Sequence, residues 1–247
     1  MIPLSLLGSD AHGRYGSAFL SLALLIVVAD LGCASAHAGT IVGEIRFHGS
    51  VPPPTLAKVT KDPEACGTRK AIQPVRVDPA SGGIAEVIVS VQGLNAPPAI
   101  GQQADPVITN RDCLFSPRVG AAQVNQVVHI RNEDPILHNT HLTQGKRTVV
   151  NVALVPGGRE IKKRLRRPGH ILVKCDKHRF MRAHLWVFAH PYFAVTDGQG
   201  RFQIPDVPAG SYELAIWHET LGTISAPVMV PDQGEVTIAI DYPTSPR

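Results

Sequence analysis

From residue 40 onward, short runs of alternating apolar and polar residues are interrupted every few positions by Gly, Pro, Asn or Asp. Thr40 to Phe47 alternates and then meets Gly49 and Pro52-Pro53-Pro54, which reads as a strand and a turn. Residues 55–83 are polar and irregular, and the pattern assigns them no element. Ala85 to Val91 is the next strand, ended by Pro97-Pro98, and Gly101 to Asp105 reads as a linker. Strands are then expected at Val107 to Thr109, Val124 to Ile130, Arg147 to Val152, Ile161 to Leu165, His170 to Lys174 and His184 to Phe188.

After Pro191 the pattern restarts. Phe193 to Thr196 leads into the turn Asp197-Gly198-Gln199-Gly200, followed by strands at Arg201 to Ile204, Tyr212 to Trp217, Ile224 to Val230 and Glu235 to Ile240. Many short strands at regular spacing predict an all-β chain built of sandwiches or barrels. Composition agrees. The 22 Gly and 21 Pro among 247 residues leave little room for long helices.

The first residues follow another pattern. Arg14 precedes an apolar run from Ala18 to Ala29, which is too short to span a bilayer comfortably. Small residues follow at Ala34-Ser35-Ala36 and Ala36-His37-Ala38. Residues 1–38 therefore read as a signal peptide, cut after Ala38, with an uncleaved anchor helix as the alternative. A lipoprotein cut before Cys33 would need an aliphatic residue where Asp30 stands. No other stretch is apolar enough to cross a membrane, so no stable membrane insertion is expected after cleavage, and the mature protein is placed in the periplasm or secreted. Losing Asp10, Arg14 and Asp30 moves the formal net charge from +4 to near +5. That excess suits docking on an acidic protein and does not call for nucleic acid. The basic run Arg159, Lys162, Lys163, Arg164, Arg166, Arg167 reads as a solvated strand and turn, or as a docking patch.

Four cysteines are present, and Cys33 leaves with the signal peptide. In an oxidising compartment two of the remaining three can pair. Cys66 and Cys113 flank a long loop-rich stretch and are assigned to each other, which leaves Cys175 as the odd thiol.

The neighbours of Cys175 suggest why it stays unpaired. In Cys175-Asp176-Lys177-His178-Arg179-Phe180-Met181 a thiolate, an imidazole and a thioether recur every third position. A Cys with two His and a weak axial Met suits copper, and a tight loop after a strand end can turn all three toward one ion. Zinc also takes Cys and His, but a thioether is a poor partner for it. The second imidazole should come from a different strand end, and His138 qualifies, because Asn132 to Asn139 leaves a strand and enters a turn.

With these residues in place, 104–190 resembles a cupredoxin of the plastocyanin and amicyanin type. The matching pieces are Phe115-Ser116-Pro117, Val127 to Asn132, Asp134, His138-Asn139, Pro168-Gly169-His170 and Cys175 to Met181. The resemblance implies a Greek-key β-sandwich holding one type 1 copper on His138, Cys175, His178 and Met181. It implies that Asn139 steadies the ligand loop near the Cys sulfur. It also implies that His178 lies near the surface as the electron port. Where related proteins carry Pro-Trp between the loop His and Met, this chain carries Arg179-Phe180, a charge beside the site in place of a rigid apolar rim. The pair His138-x2-His141 and the Trp217-His218-Glu219 segment raise a second metal site on His141 and His218, against their being surface or hydrogen-bonded histidines.

Residues 191–247 resemble the carboxypeptidase regulatory-like fold, a small transthyretin-like sandwich, through Thr196-Asp197, Gly200-Arg201-Phe202 and Pro208 to Tyr212. Its usual opening strand is matched by Gly39 to Gly43, about 150 residues upstream. The expectation is one split domain of 39–103 and 191–247 with the copper domain inserted, since insertion at a loop tip is tolerated when the ends are close. Two domains in line are the alternative. No catalytic base or substrate pocket is legible, so the chain reads as an exported one-electron carrier and not as an enzyme. A copper delivery module is disfavoured by the presence of only three Met. A structural or carbohydrate-binding sandwich with a vestigial metal site is the other rival.

Overall fold

The computed structural model describes residues 38–94 and 103–243. The segment read as a signal peptide lies outside them apart from Ala38, as does most of the 95–105 connection. Among the described residues no helix is long and apolar enough to cross a membrane.

The N-terminal stretch gives β1 (Ala38–Phe47), β2 (Thr55–Lys58), α1 (Pro63–Cys66), β3 (Arg69–Ile72) and β4 (Ile88–Val91). The middle gives β5 (Val107–Arg111), β6 (Leu114–Ser116), β7 (Val119–Gln123), β8 (Val127–Asn132), β9 (His138–Gln144), β10 (Arg147–Leu154), β11 (Ile161–Arg164), β12 (Gly169–Lys174) and β13 (Arg182–Phe188). The last stretch gives β14 (Phe193–Val195), β15 (Arg201–Pro208), β16 (Gly210–His218), β17 (Gly222–Val230) and β18 (Glu235–Tyr242). The chain is all-β, with one short helix.

Two sheets come from the ends of the described chain. β1 lies between β15 and β18, antiparallel to the first and parallel to the second. β4 lies between β14 and β16, and β17 completes that sheet. Ile41, Ile45, Val87 and Val89 share one core with Phe202, Ile204, Leu214, Ile216 and Tyr242. The strands before residue 94 therefore bury their apolar faces against strands after residue 193. Each fully buried Ile or Leu there contributes on the order of 1.5–3 kcal/mol. Gly83 passes so close to the turn before β15 that a Cβ would fall 1.8 Å from the Gln199 carbonyl oxygen.

The middle strands form two further sheets, β10-β9-β12-β13-β7 and β11-β8-β5-β6, around a separate core of Ile108, Val128, Ile130, Leu142, Ile171, Val173 and Leu185. Strand parity decides which side chains enter it. On β9 the inward set is His138, Thr140 and Leu142. On β12 it is Ile171 and Val173, and the same alternation carries Cys175 inward just past the strand end. On β13 it is Ala183, Leu185 and Val187, with Met181 in the same phase just before the strand.

Residues 55–72, read from sequence as irregular, form the β2–β3 hairpin with α1 at its tip. Only Val59 and Cys66 of this segment are buried. A hairpin closed by so few apolar positions leaves no period to read in the sequence. Cys66 is disulfide-bonded to Cys113, as expected from the cysteine arithmetic.

Candidate metal centre

His138, Cys175, His178 and Met181 come together at one end of the middle sandwich, all at 2% exposure or less. His138 opens β9 and does not enter a turn; its pairing with Leu154 of β10 fixes it as a strand residue. Asn132 and the Pro135 segment make the bend that precedes it, with the Asn132 amide donating to the Ile136 and Leu154 carbonyls. The loop between β12 and β13 closes on itself. The Met181 N–H donates to the His178 carbonyl at 2.9 Å, and the Cys175 N–H donates to the Met181 carbonyl at 3.3 Å. The His178 N–H points at the Cys175 sulfur at 3.4 Å. These short-range bonds close the loop with the His178 Nδ1 beside the Cys175 sulfur and Met181 buried next to them.

The donor atoms converge. Nδ1 of His178 is 3.1 Å from Nδ1 of His138 and 3.7 Å from Sγ of Cys175. Ligand atoms of all three residues lie within 4.8 Å of one another. Cys175 is an unpaired, buried thiol.

The outer edge of each ring explains the inner one. Nε2 of His138 is 2.7 Å from Asp134 Oδ2, and Nε2 of His178 is 2.8 Å from Asp62 Oδ2. Asp134 already accepts from the backbone N–H groups of Asp112 and Cys113, so its carboxylate is an acceptor. The Lys177 ammonium, 2.6 Å away, holds the Asp62 carboxyl below the usual range, with His178 adding to the effect. Facing carboxylates, both Nε2 atoms carry the hydrogen. In that tautomer an imidazole turns a bare Nδ1 lone pair inward. Burial pushes the His138 imidazole below its ordinary pKa against the pull of Asp134, which keeps it neutral. In that tautomer the one proton left among the two facing nitrogens and the sulfur is the thiol's, 3.7 Å from His178 Nδ1. A cation satisfies all three, and this spacing is one that two nitrogens can take about 2.0–2.1 Å from a common ion. The donor set therefore fits a soft, imidazole-binding metal.

Asn139 bridges the ligand loop and β10. Its Oδ1 accepts from the Asp176 N–H at 3.0 Å, directly after Cys175, and its amide reaches Asn151 and the Val152 carbonyl on β10. Asp62 and Asp134 were not singled out as partners of the histidines in the sequence. Asp134 is four residues before His138, a spacing that could have flagged it. Asp62 lies 116 residues from His178 and no local pattern links them.

Two expectations change. His178, expected near the surface, is buried at 2% exposure, with the 55–72 hairpin on its outer edge and the cationic cleft beside it. Phe180 is half-buried and packs against the cluster of Val59, Cys66 and Cys113. Phe180 thus packs the hairpin against the ligand loop. Beside it opens a cleft of about 430 Å³ lined by Lys58, Lys61, Lys177, Arg179, Asp176 and the edge of His178. Four cations face one carboxylate there.

His141 and His218 are not brought together. His141 bonds Asp176 and Thr148 beside the ligand loop. His218 is buried at the end of β16, where its Nδ1 accepts from the Thr220 and Leu221 N–H groups. Neither belongs to a converging ligand group among the described residues. Cys113, Asp134 and His138 also converge, but the Cys113 sulfur is committed to the disulfide. Of the other histidines, His129 pairs with Glu160, and His170 stacks on His184.

No protein-family model and no curated protein matches the chain. Among solved structures it is similar to a copper-containing nitrite reductase from Thermus scotoductus SA-01, at 22% identity and TM-score 0.31, over 38% of this chain and 25% of the reductase. It is similar to a reduced amicyanin variant at 16% identity and TM-score 0.31, over 40% of this chain and 98% of the amicyanin. It is also similar to a purple cupredoxin from Nitrosopumilus maritimus at 18% identity and TM-score 0.30, over 34% of this chain and all of that protein.

Proposed function

We propose that this chain is an exported carrier of single electrons, with one type 1 copper held by His138, Cys175, His178 and Met181. The observation that carries the reading is the pair of facing Nδ1 atoms of His138 and His178 beside the Cys175 thiol. Bound there, copper supplies a one-electron couple. The chain's own residues do the rest. Asp134 and Asp62 fix both imidazoles in the Nε2–H tautomer, Asn139 anchors the loop after Cys175, and the apolar core around Met181 excludes water. A donor set held this rigidly reorganises little when one electron arrives or leaves. Burial of all four donors supports a carrier over a catalyst. Met181 in the set favours copper over zinc.

The copper unit is read as an insertion in a split regulatory-like sandwich of 39–103 and 191–247. The core shared by β1, β4, β15 and β16 supports this. The Cys66–Cys113 disulfide supports an oxidising compartment, periplasmic or extracellular. The cationic cleft at Lys58, Lys61, Lys177 and Arg179 suits an acidic redox partner.

The test is spectroscopic. Protein loaded with one equivalent of Cu(II) should show an intense visible thiolate-to-copper band and cycle reversibly by one electron. Copper bound without that band would refute the type 1 reading, and a band without reversible cycling would favour delivery over transfer.

A further inference from the structure

The segment 55–72 belongs to neither sandwich core. Its buried side chains, Val59 and Cys66, cluster with Cys113, Ile136 and Phe180 over the ligand loop, and the Cys66 sulfur lies 4.0 Å from His178 Nε2. The disulfide joins two arms that end on the two histidines. On one arm the Cys113 N–H donates to Asp134, which holds His138. On the other the Cys66 N–H donates to the Asp62 carbonyl, and the Asp62 carboxylate holds His178. Asp62 is tied in turn to Lys177 in the ligand loop.

We infer that 55–72 is a tethered cap on the metal centre and that Asp62 is a positioning residue for His178, setting its tautomer and the reduction potential of the ion it binds. The potential part rests on the copper reading above; the tautomer part does not. An anionic partner on Nε2 makes Nδ1 the bare nitrogen and a stronger donor. A stronger donor, with negative charge close by, favours the more highly charged Cu(II). Asp62 therefore lowers the potential. The same contact covers the outer edge of His178.

The test uses the full mature chain and two variants. Asp62 has a left-handed backbone, φ 49°, which Asn tolerates best among side-chain-bearing residues. Asp62→Asn therefore keeps an acceptor on Nε2 and removes only the charge. Asp62→Ala removes both. In metal-free protein, nitrogen-15 NMR of the ring should show His178 as the Nε2–H tautomer in the wild type and in Asp62→Asn, and as a mixture of tautomers in Asp62→Ala. In copper-loaded protein the potential should rise in both variants with the visible band retained. An unchanged potential in Asp62→Asn, or an unchanged His178 ring in Asp62→Ala, overturns the assignment. If the wild type forms no thiolate–copper band, the copper reading fails by itself, and the metal-free ring spectrum still decides what Asp62 does.

Discussion

His138 and His178 face each other Nδ1 to Nδ1 at 3.1 Å, and the opposite nitrogen of each ring rests on a carboxylate. Two buried acceptors this close would be costly without a shared partner. The arrangement is consistent with a site built around a cation, and three separate parts of the chain supply it. β9 brings His138, the loop after β12 brings Cys175 and His178, and the 55–72 cap brings Asp62.

Replacing the thiol is the sharpest probe of the donor set. Cys175→Ser should abolish the visible band of the Cu(II) protein while His138 and His178 still retain some metal. Copper affinity should drop by more than the ~100-fold that losing an outer hydrogen-bond partner costs. Competition with a chromophoric chelator measures it. A variant that keeps the band would remove Cys175 from the centre.

Asn139 tests the support behind the ligands. Asn139→Ala removes the acceptor of the Asp176 N–H and the amide bridge to β10. Stability should fall by about 1 kcal/mol, the usual net worth of such a bond. Copper affinity should fall by roughly 10–100-fold. Faster exchange of the Asp176 amide in metal-free protein would locate the loosening in the ligand loop.

Much of this centre could be read from the chain because its parts are local. Cys175, His178 and Met181 lie within one loop, and their inward direction follows from the alternation of Ile171, Val173, Ala183 and Leu185. Most strands of both sandwiches showed for the same reason, as at Ile41 and Ile45, but β6, β7 and β9, which are short or polar, did not. The cap did not show. Its sequence is polar, its burial rests on Val59 and Cys66, and its purpose appears only when Asp62 meets a histidine 116 residues away. Expecting an exposed His178 followed from the ligand loop alone, which says nothing of what covers it. His141 and His218 looked alike as lone histidines. Only the fold separates a partner of Asp176 from a ring buried beside Tyr242.

His218 sets an acid limit on the second sandwich. Burial depresses its pKa from 6.5 to about 4, and Glu219 raises it only in part, against Arg118 and His184. The ring must also stay unprotonated at Nδ1 to accept from Thr220 and Leu221. Between those two values the unfolded chain binds a proton that the folded protein does not. The contribution of His218 is therefore complete above pH 6.5 and is lost as the pH falls toward 4, up to about 3 kcal/mol. Denaturant titrations of metal-free protein across that window should show the decline. His218→Gln, which keeps an acceptor and loses the titration, should flatten it. An equal slope in both proteins would assign the acid sensitivity to other groups.

Gly83 tests whether the two ends of the chain unfold as one unit. It lies against Gln199 and Gly200, while the Ile45 N–H donates to the Gly200 carbonyl and the Ile84 N–H donates to the Ile45 carbonyl. A Cβ at position 83 would sit 1.8 Å from one backbone atom and 2.3 Å from another, and backbone cannot rotate away. Gly83→Ala should cost about 3 kcal/mol, the upper range for overpacking. Gly198→Ala, one turn position away with open space around it, should be near neutral. The informative readout is amide exchange in both β4 and β16. If the halves share one cooperative core, Gly83→Ala accelerates exchange in the two strands together, although about 120 residues separate them. Acceleration confined to β4 would mean that the sandwich does not unfold as one unit, and the inserted-domain reading would fall with it.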